Sequence, residues 1–154
     1  MALDVTLDEG LTFASVLLRR LRTEVGRMVR AAARTEGRAD FEVGLRLTTD
    51  VAIRELNRDY RDKDKATDVL AFAQREGPGA ALHPELLGDL VISVETARRQ
   101  AKRGLHAELL HLASHGLCHL LGYDHRTDEE ERVMNARAAR LRRVAIERGR
   151  VRAA

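Results

Sequence analysis

The sequence predicts an α+β (mixed α/β) domain, a small mixed sheet with helices packed around it. Three features of the chain carry that expectation. Phe41, Val43, Leu45 and Leu47 alternate with Glu42, Gly44 and Arg46, and a period of two marks a half-buried strand. Val69 to Ala73 is an unbroken apolar run, too short for a lone helix, and Leu90 to Val94 is nearly so; both read as buried strands. The stretches around them place apolar residues at helical spacing instead.

Ala2 to Leu7 is expected to be a short strand. Phe13, Val16, Leu17, Leu21, Val25, Met28, Val29 and Ala32 recur at helical spacing, so a helix with one core face runs from Thr12 to about Glu36. Gly37 stops it. After the alternating strand, Asp50 caps a helix reaching about Tyr60, with Ile53 and Leu56 inward. Arg61 to Ala66 is a charged loop. Gln74 to Leu87 contains both prolines and reads as an irregular loop. A helix beginning at Ser93 or Glu95 runs to about Lys102 and closes at Gly104. Leu105 to Leu121 is apolar almost all the way round, with polar atoms mainly at His111, Ser114, His115 and His119: a buried helix carrying a polar stripe. Thr127-Asp-Glu-Glu130 has capping-box spacing, and its acids suit a helix N-terminus. That last helix runs to about Arg148, with Val133, Leu141, Val144 and Ala145 inward. No repeat or linker divides the chain, so residues 1–154 are expected to form one domain.

A chain of 154 residues can bury roughly two-thirds of its unfolded surface. It has no Trp and few aromatics, so aliphatic side chains must fill the core. A single cysteine, Cys118, excludes an internal disulfide and fits a reducing cytoplasm. No signal peptide is expected at the N-terminus, and no apolar run approaches the length that spans a membrane. Net charge is only +3, a weak argument for nucleic acid. Its distribution says more: Arg137 to Arg152 holds seven arginines against one acid, Glu147, either a solvated helix face or an RNA-facing surface.

The chemistry concentrates in His115-Gly-Leu-Cys-His119-Leu-Leu-Gly-Tyr-Asp-His125. On a helix His115 and His119 are rotated by about 40° and separated by roughly 6 Å of rise, so both imidazoles leave one face. Gly122 can end the helix in a left-handed conformation, and the turn returns His125 within a few residues. Three imidazoles so placed suit one zinc ion, whose catalytic sites commonly keep a fourth position for water. The plainer alternative is a set of core histidines bonded to backbone. His111 with His115 is a second compatible pair, but His111 lies about 12 Å of helix rise from His119. Cys118 points about 100° away from His119 and reads as a small core residue.

The same histidine stretch resembles the signature of the YbeY family, metal-dependent endoribonucleases of ribosomal RNA maturation. Two further segments match: Asn57-Arg-Asp-Tyr60-Arg61-Asp-Lys-Asp64-Lys-Ala-Thr67-Asp68-Val-Leu-Ala-Phe72 and Gly88-Asp89-Leu-Val-Ile-Ser93. The match spans about residues 43–143 in the family's order; residues 1–40 and the basic C-terminal helix are not diagnostic. The resemblance implies a sheet of about four strands with the metal-bearing helix buried against it. It implies a functional arginine at Arg61, acting with His115, His119 and His125. It also implies a single-strand-directed endoribonuclease working on ribosomal RNA precursors, near the ribosome or its proteins, in the cytoplasm. The chain departs from the family pattern at Ala71 and Ala73-Gln74, where Ser and Pro are more common. A lost hydroxyl there alters hydrogen bonding near the sheet end without abolishing metal binding.

Residue chemistry separates the reaction classes. A peptidase of the His-Glu-x-x-His type needs a Glu beside the first histidine, and here that place is Gly116. Phosphodiester cleavage gathers negative charge on phosphorus and asks for a cation, which Arg61 can supply with two parallel hydrogen bonds. Arg58, Lys63 and Lys65 either track the RNA backbone or are solvated charges balanced by Asp59, Asp62 and Asp64. Asp68 and Asp124 either orient ligand imidazoles or serve turns and caps. Asp89, after Gly88, is expected in a turn. Phe72 and Tyr123 are the nearest aromatics for stacking a base, Phe72 being the better core residue. The rival functions are a non-catalytic ribosome-assembly factor with a structural metal and a metal-dependent peptidase or amidase.

Overall fold

The computed structural model describes residues 3–74 and 82–153, with side chains described as far as Ile146. In chain order the elements are β1 (Leu3–Leu7), α1 (Ser15–Thr35), β2 (Glu42–Thr48), α2 (Asp50–Arg61), β3 (Val69–Ala73), β4 (Leu86–Ser93), α3 (Val94–Gln100), α4 (Leu105–Leu120) and α5 (Asp128–Ala153). The four strands make one sheet in the order β1-β2-β4-β3. β1, β2 and β4 are parallel, and β3 runs antiparallel to β4 at the edge. The parallel pairs follow from the intervening helices, which return the chain to the same end of the sheet. The α+β expectation, with about four strands in a mixed sheet, is met.

The sheet is covered unequally. One face packs on α1 and α4, with α5 closing over both; the other carries α2, whose Ile53 meets Leu70 and Val91 with Leu56 and Phe72 at the margin. The row Val5, Leu45, Leu90 and Ala71 crosses all four strands in register. α4 is buried along most of its length because its apolar residues run round the cylinder: Leu109, Leu112, Ala113, Leu117 and Leu120 all lie in the core. Gly116 faces the sheet. A Cβ added there would come within 2.6 Å of Leu90 Cδ2 and 3.4 Å of Val69 Cγ2. Gly116→Ala is therefore expected to lower the urea midpoint, overpacking costing about 1–3 kcal/mol. An unchanged midpoint would mean that Leu90 swings aside without loss.

Several boundaries differ from the sequence expectation. α1 begins at Ser15, and Val16 is 70% exposed, because the helix reaches the core only from its second turn. Thr49 caps α2, its hydroxyl accepting from Ala52 N. Asp50 instead joins α2 to α3, accepting from Ser93 Oγ and Thr96 Oγ1 at 2.6 Å and from Arg99 at 2.8 Å. Arg61 ends α2 rather than sitting in a loop, and Asp62 follows at φ 60°. β4 starts at Leu86, so Asp89 lies in a strand opposite Gly44 and Phe72, not in a turn. Of the loop expected at 74–87, residues 75–81 lie outside the described residues, as does Ala2. On α5, Met134, Ala138, Leu141 and Ala145 form the buried stripe, and Val133 is 49% exposed. Leu141 and Ala145 fix the phase of that helix, and Met134, two turns earlier, shares it. The side chains of Arg148, Arg150 and Arg152 lie outside the described residues.

At one end of the sheet, Asp8 accepts from Nε and Nη2 of Arg46, both at 2.8 Å, and from the Thr48 hydroxyl. The Arg46 hydrogen bonds hold the Asp8 carboxyl below the usual carboxylate range, against a smaller opposing effect of burial. A folded-state value below the unfolded one contributes stability in full above about pH 4 and loses it as pH falls through the folded value. Asp8→Asn should therefore lower the urea midpoint at neutral pH, and its gap to wild type should narrow in acid. A gap that stays constant with pH would remove the charge from the explanation.

Candidate metal centre

His115 and His119 leave the exposed stripe of α4, one turn apart. The helix ends just beyond them. Leu121 N donates to Leu117 O, Gly122 N to His119 O and Tyr123 N to Cys118 O, all at 3.0 Å. Gly122, at φ 102°, then reverses the chain. Asp124 Oδ1 accepts from His125 N at 2.8 Å, which pins the turn, and Asp124 Oδ2 pairs with Arg126 at 2.8 Å. The His119 and His125 rings meet edge to face with centroids 5.2 Å apart.

Ligand atoms of His119, Asp124 and His125 lie within 4.8 Å of one another, close enough to hold one ion. His115 lines the same cleft of about 580 Å³, but its ring packs on His111, centroids 4.5 Å apart, and it is outside that close group. The structure thus brings together two of the three expected imidazoles and keeps the third on the same wall. Asp124, expected as an orienting or turn residue, is close enough to be a ligand as well. Its position after Tyr123 signalled the turn; nothing in the spacing signalled that a carboxylate oxygen would reach the histidines.

The donors suit a metal. Burial, then the charges of His111 and Arg142, push His115 down to about 4. Burial, then His125, lowers His119 as well. Both imidazoles are therefore neutral near pH 7 and offer lone pairs. Asp124 is held as a carboxylate first by the His125 N–H. Neutral nitrogen donors with a nearby oxygen match the ligand chemistry of zinc and similar divalent ions.

Arg61 comes to this cleft from the end of α2. Its Nη2 donates to Ala71 O at 3.3 Å, on edge strand β3, and its charge is felt at His119. Asn57, 3% exposed, donates to Lys65 O at 2.9 Å and anchors the loop after Arg61. Arg58 pairs with Asp59, as the solvated-charge alternative expected. Asp68 accepts from Val69 N at 2.7 Å and from Gln100 at 3.3 Å, a turn role at the rim of the cleft. Phe72 meets Tyr60 edge to face on the α2 face of the sheet, away from the histidines, whereas Tyr123 is in the cleft wall. Cys118 is a core residue, its thiol directed at Met134 O and pushed up to about 11 by burial. Behind the histidines, Arg142 Nη1 donates to Ser114 Oγ at 2.7 Å, and Ser114 Oγ to His111 O at 2.8 Å, tying α5 to α4. The apolar periodicity of α5 gave no hint of this tie.

A family profile described as Endoribonuclease YbeY matches residues 12–144. The chain belongs to the YbeY family. It is thus a nuclease of the endoribonuclease class. The YbeY endoribonuclease of Syntrophotalea carbinolica is 47% identical over 107 residues, covering 66% of this chain and 71% of that one. That of an Anaeromyxobacter species is 47% identical over 128 residues, covering 81% of this chain and 63% of its own length. The chain therefore spans just under two thirds of that longer relative. The solution structure of a Thermotoga maritima protein superposes with TM-score 0.60 and 25% identity, over 97% of this chain and 93% of the other. The YbeY match begins some thirty residues before residue 43, where the resemblance becomes legible in the sequence, so α1 is part of the shared fold. Among the described residues no helix is long and apolar enough to cross a membrane.

Proposed function

We propose that residues 1–154 work as one zinc-dependent endoribonuclease domain, directed at single-stranded RNA in ribosomal RNA precursors. His115, His119 and His125 would hold a single ion, and Arg61 would grip the scissile phosphate. The cytoplasm, close to the ribosome or its proteins, is the setting that fits the family. The observation that carries this reading is the cleft itself, which gathers a close pair of imidazoles, a third on the same wall, and a guanidinium.

When bound, zinc polarises a phosphoryl oxygen and lowers the pKa of water. The chain supplies the rest. Arg61 spends one Nη2 N–H on Ala71 O, which orients the guanidinium and leaves donors for two phosphate oxygens. The extra negative charge of the pentacoordinate phosphate strengthens those bonds at the moment of reaction. The nucleophile is either water or the RNA 2′-hydroxyl, and the products decide: a cyclic phosphate marks the internal hydroxyl, a linear end marks water.

Zinc-loaded protein is expected to cut a labelled single-stranded RNA, to stop when the ion is chelated, and to resume when zinc is returned. A duplex of the same sequence should be cut far more slowly. One observation favours a second reading. Asp124 beside His119 and His125 could complete a four-ligand structural site, and the chain would then be a non-catalytic ribosome-assembly factor. Metal-loaded protein, free of contaminating nuclease, that never cuts RNA would favour that reading.

A further inference from the structure

We propose that a second cavity, sharing Gly122 and Tyr123 with the cleft, is a nucleobase subsite that receives one base beside the phosphate being cut. This rests on the reading above that the scissile phosphate lies in the histidine cleft. The second cavity holds about 260 Å³ between the C-terminal ends of α1 and α4 and the flank of α5. That is just below the roughly 300–1,000 Å³ of pockets for drug-sized ligands, so it suits a single heterocycle.

Gly122 and Tyr123 line both spaces, so the cavities abut across one dipeptide. Apart from its chain neighbours, nothing lies within 4 Å of the place a Cβ on Gly122 would occupy, so that position is open. A nucleotide with its phosphate at Arg61 and the histidines thus has an adjoining place for a neighbouring base.

The walls select a base over a phosphate. Leu121 and Tyr123 provide apolar and aromatic surface for a flat ring. The C-terminal end of α1 borders the cavity, and its negative partial charge disfavours a phosphate. The polar groups are mixed. Thr35 gives its proton to Ala31 O and so can only accept from a ligand, and Arg137 brings donors. An edge carrying both donors and acceptors is what a nucleobase presents.

The test uses the zinc-loaded full chain and a short labelled single-stranded RNA, with an abasic residue placed at each position around the cut in turn. Wild type and Arg137→Gln are compared, after zinc content and melting show that the variant is intact. In wild type, one abasic position should raise KM about tenfold, the scale of one base–aromatic contact. In Arg137→Gln, intact RNA should already show part of that rise, and the abasic residue should add correspondingly less than in wild type. A flat profile in a cleaving enzyme overturns the subsite. So does an equal loss by Arg137→Gln on every oligonucleotide, which would mark a phosphate contact. If wild type fails to cut intact RNA, the cleavage reading falls; the same series read by fluorescence anisotropy then decides the subsite, with the same tenfold wild-type rise and smaller rise in the variant expected for Kd.

Discussion

His119→Ala is expected to lose bound zinc and RNA cleavage together. His119 is the residue on which the two halves of the centre converge: it sits on the last turn of α4 with His115 one turn behind, and its ring touches His125 across the Gly122 reversal. Even partners that only orient a ligand cost about 10–100-fold in metal affinity when removed, so loss of a ligand itself should exceed 100-fold. Cleavage should fall to the level of the chelated wild type. The fold should survive, since His119 is half-buried on the cleft side and the packed residues of the helix are its neighbours Leu117, Cys118 and Leu120. Zinc by elemental analysis, melting temperature and cleavage rate are the three measurements. A variant that stays folded and cuts RNA at the wild-type rate would remove His119 from the centre.

Arg61→Ala should separate the two properties that His119→Ala loses together. The guanidinium touches only Ala71 O among the described hydrogen bonds, so zinc content and melting should stay close to wild type. Cleavage should drop by about 10²–10³-fold, the usual effect of removing one preorganised donor from a developing anion. The loss should fall on kcat more than on KM, because the phosphate carries its additional charge only in the transition state. Arg61→Lys should recover part of the rate, since it restores charge without the paired donors. Cutting at the normal rate by Arg61→Ala would make Arg61 a surface residue.

Much of this arrangement was legible in the sequence where a local rule governs the outcome. The alternation from Phe41 to Leu47 gave β2, and the apolar run at Val69 gave β3, because burial on one or both faces of a sheet leaves that imprint. The four-residue spacing of His115 and His119 with Gly122 beyond them gave a shared helix face and a reversal. What was hidden depends on contacts far apart in the chain. Asp50 reads as a cap from its neighbours, yet its partners are Ser93, Thr96 and Arg99 on another element. Asp89 follows a glycine, which reads as a turn, but the sheet has extended β4 back to Leu86. Arg142 is one arginine among several on a basic helix, and only the packing of α5 on α4 singles it out at Ser114. Asp124 shows the same limit at the site itself, since whether its carboxylate meets the imidazoles depends on how tightly the turn closes.

The bare backbone at position 116 also constrains how this scaffold can be redesigned. Installing a glutamate beside His115 is the obvious one-step route from cutting RNA to cutting peptides, yet the new side chain would leave the helix straight into Leu90 and Val69. Leu90 would have to swing aside, or helix and sheet to separate, before the acid found space, and a separation would carry the imidazoles off their alignment. A proteolytic descendant of this architecture would have to bring its base from a different strand or loop.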